Sequence, residues 1–195
     1  SLKCTSELKR RYFPDDSDWT IVEGSVLDSA FLNPLGTFNI VYSWGVLHHT
    51  GAMWQALENA FRMVADHGKL FIAIYNDQGG ASRRWLMVKR LYNWLPKWGK
   101  IVVVWPACIR QWGLTIFRDT LLGNPFRTWF DYKQQRGMSP WRDVVDWVGG
   151  YPFEVAKPEE VFEFCRDRGL TLITLKTVEN CNEYVFEKAE TNRRI

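Results

Sequence analysis

The chain has 195 residues, of which 46% are hydrophobic and 24% charged, with a formal net charge of +3. That balance is ordinary for a globular protein with one sizeable core, and the absence of any long apolar run excludes a bilayer span. Cys4, Cys108, Cys165 and Cys181 are scattered without CxxC spacing, which excludes a cysteine zinc site or a disulfide framework and suggests buried thiols in a reducing cytoplasm.

In chain order, no signal-peptide pattern opens the sequence. "SLKCTSELKRRYF" (1–13) predicts a helix already under way at Ser1 and stopped by Pro14. "WTIVEGSV" (19–26) is rich in β-formers and predicts a short strand ending at Gly24. "FNIVYSW" (38–44) is a nearly continuous apolar strand of the kind found in buried parallel sheets. "AMWQALENAFRMVA" (52–65) sets Met53, Leu57, Phe61 and Val64 on one helical face. A turn and a buried strand follow in "HGKLFIAIYN" (67–76). Helix, strand, strand, helix and strand in succession point to an α/β fold.

From Asp77 to about Gly150 the pattern changes. "SRRWLMVKRLYNWL" (82–95) predicts an amphipathic helix, with Trp85, Val88, Leu91 and Leu95 opposed to Arg84, Lys89 and Arg90. "KIVVVWPACIRQWGLTIF" (100–117) is apolar but broken by Pro106 and Arg110. Residues 119–150 read as irregular and aromatic, punctuated by Pro125, Gly137 and Pro140. Residues 77–150 are therefore expected to be a helical, Trp-rich lid inserted in a single domain of residues 1–195. Regular structure returns with "KPEEVFEFCRDRG" (157–169), where Pro158 suits a first helical turn, Glu159 and Glu160 sit at its positive end and Gly169 stops it. "LTLITLKT" (170–177) and "NEYVFEKA" (182–189) predict an antiparallel hairpin turning at Glu179, Asn180 and Cys181.

Charge is distributed unevenly. No acidic residue lies between Asp77 and Asp119, a stretch holding Arg83, Arg84, Lys89, Arg90, Lys97, Lys100, Arg110 and Arg118 interleaved with Trp85, Trp94, Trp98, Trp105 and Trp112. The C-terminal part compensates with Glu154, Glu159, Glu160, Glu163, Asp167 and Glu179. A solvated helix face over a packed aromatic lid accounts for the patch, and so does a peripheral contact with a membrane surface, which would suit a lipophilic substrate. Nucleic acid ranks last, because no RNA- or DNA-binding motif accompanies the basic residues.

The segments "EGSVLD" (23–28), "FNIVYSWGVLHHTGAMWQALENAFRMV" (38–64), "HGKLFIAIYN" (67–76) and the closing strands together resemble the later part of a class I S-adenosylmethionine-dependent methyltransferase. "GGYPFEVAKPEEVFEF" (149–164) and "CNEYVF" (181–186) are similar to a bacterial subgroup likened to quinone-biosynthesis methyltransferases. Asn39 stands where the family commonly has Asp, and "DHGK" (66–69) where it has "KPGG". The resemblance implies a Rossmann-like sheet of strand order 3-2-1-4-5-7-6, of which this chain would keep a remnant plus a helical insertion and a C-terminal hairpin. The family's glycine-rich cofactor loop, with the strands on either side of it, has no counterpart here. The expectation is an N-terminally truncated relative with an apolar edge at 38–44 that pairs directly with residues 20–26, is filled by a second copy or another chain, or belongs to a piece of a longer protein.

By resemblance, Gly24, Ser25 and Val26 would contact the adenine of S-adenosylmethionine, and Ser43, Trp44 and Gly45 its methionine end. His48 and His49 would lie on the substrate side with Tyr75 and Asn76, and His48 is the candidate catalytic base because imidazole titrates near neutral pH. Plainer roles stand beside these: a strand-to-helix turn capped by Asp28, a histidine bonded to the next loop, and a helix start capped from Asp77 or Ser82. A metal site is not expected, since adjacent histidines rarely share an ion and only His67 remains as another imidazole. The expected activity is methyl transfer to a small or lipophilic acceptor by a cytoplasmic enzyme, peripheral to the membrane if the basic patch docks there. The alternative is a non-catalytic relative that binds a partner or dimerises through its open sheet edge, or a membrane-surface module.

Overall fold

In the computed structural model, residues 2–177 and 180–190 are described. Four strands make one sheet: β1 (Phe38–Trp44), β2 (Val64–Tyr75), β3 (Leu170–Thr177) and β4 (Cys181–Lys188), in the spatial order β1-β2-β4-β3. β1 and β2 run parallel, with Tyr42 opposite Phe71 and Trp44 opposite Ala73, while β4 is antiparallel to both β2 and β3. This is an α/β fold. Its order is that of the last four strands of the sheet implied by the resemblance, 4-5-7-6, with the final strand inserted antiparallel between its neighbours.

One face of the sheet is covered. The helices α3 (Met53–Arg62) and α8 (Pro158–Arg166) pack Met53, Leu57, Val161 and Cys165 onto Leu70, Ile72, Ile74, Tyr184 and Phe186. The alternation that places 70, 72 and 74 inward follows from the two-residue period of a strand. On the opposite face, Ile40, Tyr42 and Trp44 of β1 are exposed. β1 is therefore the open apolar edge anticipated from the sequence, bare also on one face.

Several expectations change. Residues 19–26 form no strand, since a lone extended segment has no ladder to join. They run beside α1 (Leu2–Tyr12), and Asp28 caps the short helix α2 (Ser29–Leu32) by accepting from the amides of Ala30 at 3.0 Å and Phe31 at 3.2 Å. α5 (Ile101–Leu121) continues through Pro106, whose missing N–H forfeits one helical bond on an exposed face. The stretch expected to be irregular contains α6 (Arg127–Arg136) and α7 (Pro140–Gly149). The start of α7 carried a readable signal: Pro140 opens it, and the Ser139 hydroxyl accepts from the Arg142 amide at 3.3 Å. Cys4 is exposed rather than buried, while Cys108 and Cys165 are buried. Of the hairpin turn, Glu179 lies outside the described residues, as does Ser1 of the first helix.

The helices α4 (Gly80–Trp94), α5, α6 and α7 surround a second core of Tyr92, Val104, Ala107, Cys108, Trp112, Val144 and Val148. Here too the polar assignment shifts. α4 turns Trp85, Val88, Lys89 and Tyr92 inward and Leu91 outward, so Lys89 lies on the buried face and Leu91 on the exposed one.

Candidate functional site

The parallel strands β1 and β2 deliver their carboxyl ends side by side, the place where open α/β sheets bind ligands. β1 ends at Gly45, whose φ of +69° turns the chain into a single 3-10 turn, Leu47–His49. β2 ends at Tyr75 and Asn76. The loop after α7 is laid across both ends. Its Glu154 amide donates to the His48 carbonyl at 3.0 Å, its Ala156 amide to the Tyr75 carbonyl at 3.0 Å, and the Asp77 amide returns a bond to the Ala156 carbonyl at 3.1 Å. The Glu154 carboxylate accepts from the Met53 amide at 3.0 Å, neutralising the positive end of α3.

This loop brings together residues far apart in sequence. The ring of Tyr75 lies 3.8 Å from that of His48 and 5.4 Å from that of His49. On its other side it meets Trp147 at 5.6 Å and Phe153 at 5.4 Å, edge-on or tilted as aromatic quadrupoles prefer. The ammonium of Lys89 points into this cluster from α4. It donates to the Trp147 carbonyl and sits 4.3 Å from the Trp147 ring centre and 4.8 Å from that of Phe153. Gly150 allows the approach: a Cβ there would stand 3.2 Å from Cε1 of His49 and 3.5 Å from Nζ of Lys89. Beside the cluster opens a narrow cleft with aromatic walls of Tyr75, Trp85, Trp147 and Phe153 and a polar rim of Asn76, Ser82 and Asn180.

The two histidines differ in state. Nδ1 of His49 is 2.6 Å from the Pro152 carbonyl, and a carbonyl can only accept, so Nδ1 carries a proton and Nε2 is the nitrogen left to exchange one. His48 has no exposed surface. Its Nδ1 takes the Tyr75 amide at 3.4 Å and its Nε2 meets no partner. Burial, and then the neighbouring His49, push its pKa down to about 3, so His48 is neutral at physiological pH. Burial likewise lowers Lys89 to about 8, partly offset by Asp146, and raises Tyr75 to about 12. At neutral pH Lys89 is thus a cation among aromatic faces, beside a neutral His48 and a protonated Tyr75.

The remaining sequence-derived residues are placed as follows. Ser43 is half-buried, Trp44 is exposed with its ring 6.2 Å from that of Tyr42, and Gly45 faces open space. Gly24 is covered by the ring of Phe31, whose carbons stand 2.1 to 2.4 Å from where a Cβ would be. Ser25 accepts from the Leu27 amide, and the Val26 carbonyl from Asn59 of α3. Asp77 accepts from the Gly79 amide and Ser82 from the Gln78 amide, so both hold the corner into α4 without capping its first turn. Among the described residues no three His, Cys, Asp or Glu side chains converge on a point that could hold a metal. The residues assigned by resemblance to S-adenosylmethionine do not form an enclosing cradle: Phe31 occupies the space over Gly24, and Trp44 and Gly45 look outward. Lys89, Trp147, Phe153 and Glu154 escaped the sequence reading. The glycine pair Gly149–Gly150 before an aromatic residue was the signal that could have marked them.

No protein-family model matches the chain, and no curated protein matches its sequence. Among solved structures, it is similar to an O-methyltransferase family protein from Burkholderia thailandensis, with a TM-score of 0.48 and 11% identity. The likeness covers 87% of this chain and 36% of that one, so the chain spans little more than a third of that protein's length.

Proposed function

We propose that the chain is a methyltransferase-like protein whose described residues form the acceptor side of the site. The observation that carries this is the gathering of His49, Tyr75, Lys89, Trp147 and Phe153 at the carboxyl ends of the parallel strands β1 and β2. The strand order β1-β2-β4-β3 and the sequence pattern of residues 38–76 support the assignment to this class. The acceptor it suits is a flat, largely apolar molecule with an ionisable hydroxyl. Trp85 and Trp147 would flank it, Nε2 of the half-buried His49 beside the cleft would take the hydroxyl proton, and the buried charge of Lys89 would favour the anion from behind the aromatic wall. His48, buried and neutral, would hold Tyr75 in place rather than act as the base. S-adenosylmethionine is the methyl donor of such enzymes, and the described residues do not enclose it.

The test is titration of the folded chain with S-adenosylmethionine and S-adenosylhomocysteine, followed by transfer of labelled methyl to a panel of hydroxylated aromatics. Transfer that disappears in His49→Gln and persists in His48→Gln supports the assignment. A folded chain that binds neither the cofactor nor any hydroxyaromatic removes it.

A second reading is favoured by the bare edge of β1. With Ile40, Tyr42 and Trp44 exposed beside unpaired backbone groups, a second copy of this chain could pair strand to strand there. A monomer at micromolar concentration, measured by light scattering, rules that reading out.

A further inference from the structure

The outward surface of α4 and α5 is the largest feature that the candidate site leaves unused. On α4, Arg83, Arg84, Met87, Arg90, Leu91 and Trp94 recur at helical spacing and are all exposed, while Lys89 and Tyr92 on the opposite face are buried. Cations and large apolar groups therefore share one side of the helix. The connection that follows adds Lys97 and Trp98, and Trp94 and Trp98 are 80% and 82% exposed. α5 continues the pattern with Val102, Trp105 and Ile109 and, further on, Leu114 and Phe117. From residue 78 to 118 there are eight basic residues and no acidic one, and only Lys89 among the eight is buried. So many large apolar side chains exposed on two successive helices mark an interaction surface.

We propose that this surface docks on an anionic lipid bilayer, with α4 and α5 lying in the plane of the headgroups. The composition chooses this partner. Tryptophans belong at the boundary between headgroups and acyl chains, leucine, valine and isoleucine enter the acyl region, and arginines meet the lipid phosphates. A nucleic acid would use the cations and the rings but would leave Leu91, Val102, Ile109 and Leu114 in water. The negative charge of the partner follows from the want of any acidic residue on the patch. The helices lie on the bilayer and do not cross it, because among the described residues no helix is long and apolar enough to span a membrane. Docking would set the helical half against the source of a lipophilic ligand, yet it does not depend on the methyl-transfer reading.

The experiment is sedimentation of the full chain with vesicles of phosphatidylcholine alone and with about one-third phosphatidylglycerol. Binding is expected to the anionic vesicles only and to weaken at least about tenfold when salt shortens the Debye length from ~10 Å to ~3 Å. Arg83→Glu/Arg84→Glu/Arg90→Glu and Leu91→Ser/Trp94→Ser change only exposed side chains, so both should keep the wild-type circular dichroism while losing vesicle binding about tenfold or more. Absence of binding from a folded sample overturns the proposal. So does binding that both variants retain, or binding of the chain to single-stranded RNA that the Leu91→Ser/Trp94→Ser variant keeps.

Discussion

The sheet half and the helical half build their interiors from different side chains. Between α3, α8 and the sheet, the apolar side chains are mostly aliphatic and completely buried, as with Leu47, Leu57, Val64, Ile72 and Val161. Among α4 to α7 the contacts are aromatic, with Trp112 edge-on to Trp129 at 5.1 Å and to Tyr132 at 4.9 Å, and Trp105 to Trp141 at 5.7 Å. That half buries few side chains fully and turns many apolar ones outward. A region selected for its own stability would invert that proportion. The difference indicates that the sheet half is the scaffold, and that the helical half shapes one wall of the cleft and presents a surface. The two halves are joined where Tyr75, Trp147, Phe153 and Lys89 meet.

Core truncations probe this division most strongly. Phe186→Ala, in the completely buried sheet core, is expected to cost about 3–5 kcal/mol and to lower the unfolding temperature seen by every probe. Trp112→Ala should cost a similar amount by chemistry, about 3–5 kcal/mol, if the halves unfold as one. Should tryptophan fluorescence and far-ultraviolet dichroism separate in that variant, the helical half unfolds on its own.

The titratable groups at the joint come next. The folded pKa of His48, about 3, lies below the unfolded value near 6.5, so between them the unfolded chain binds the extra proton. Stability contributed by neutral His48 is therefore complete above pH 6.5 and is lost as pH falls toward 3. His48→Gln should flatten that slope in denaturant titrations at several pH values. Lys89 behaves in the alkaline range in the same direction: its folded pKa of about 8 is below 10.5, so stability rises as pH increases from about 8 to 10.5. Lys89→Met removes the buried cation, should abolish that rise, and should be neutral or stabilising by about 1–3 kcal/mol at pH 7.

Smaller effects mark the surface. Ser139→Ala removes the hydroxyl that caps α7 and is expected to cost about 1 kcal/mol in chemical denaturation. Glu7→Gln, which breaks exposed ion pairs to Arg10 and Arg11 on α1, should leave the denaturation midpoint essentially unchanged. A larger loss there would mean that α1 has a partner it lacks in the described packing.

Local pattern was enough for α1, β1, α8 and most of α3, β2 and the hairpin, because periodicity and end signals such as Pro158 and Gly169 are properties of neighbouring residues, but Val64, read into the helix, opens β2, and Cys181, read into the turn, opens β4. It also placed His48, His49 and Tyr75 at strand ends, since a strand's direction fixes which residues its carboxyl end carries. Pairing is not local, and for that reason residues 19–26 have strand composition but no strand. The fate of Lys89 was equally out of reach. Helical spacing sets it with Trp85 and Tyr92, away from Arg84 and Arg90, and only the packing of α4 against α7, with Trp147 and Phe153 folded over it, makes the lysine a buried cation. The sequence by itself determined most elements of the sheet half, the apolar character of β1 and the basic tryptophan-rich stretch. The tertiary structure alone decided which of those basic residues face water, and that His49 and Lys89 meet around Tyr75, because burial and convergence depend on contacts between residues that the chain separates by dozens of positions.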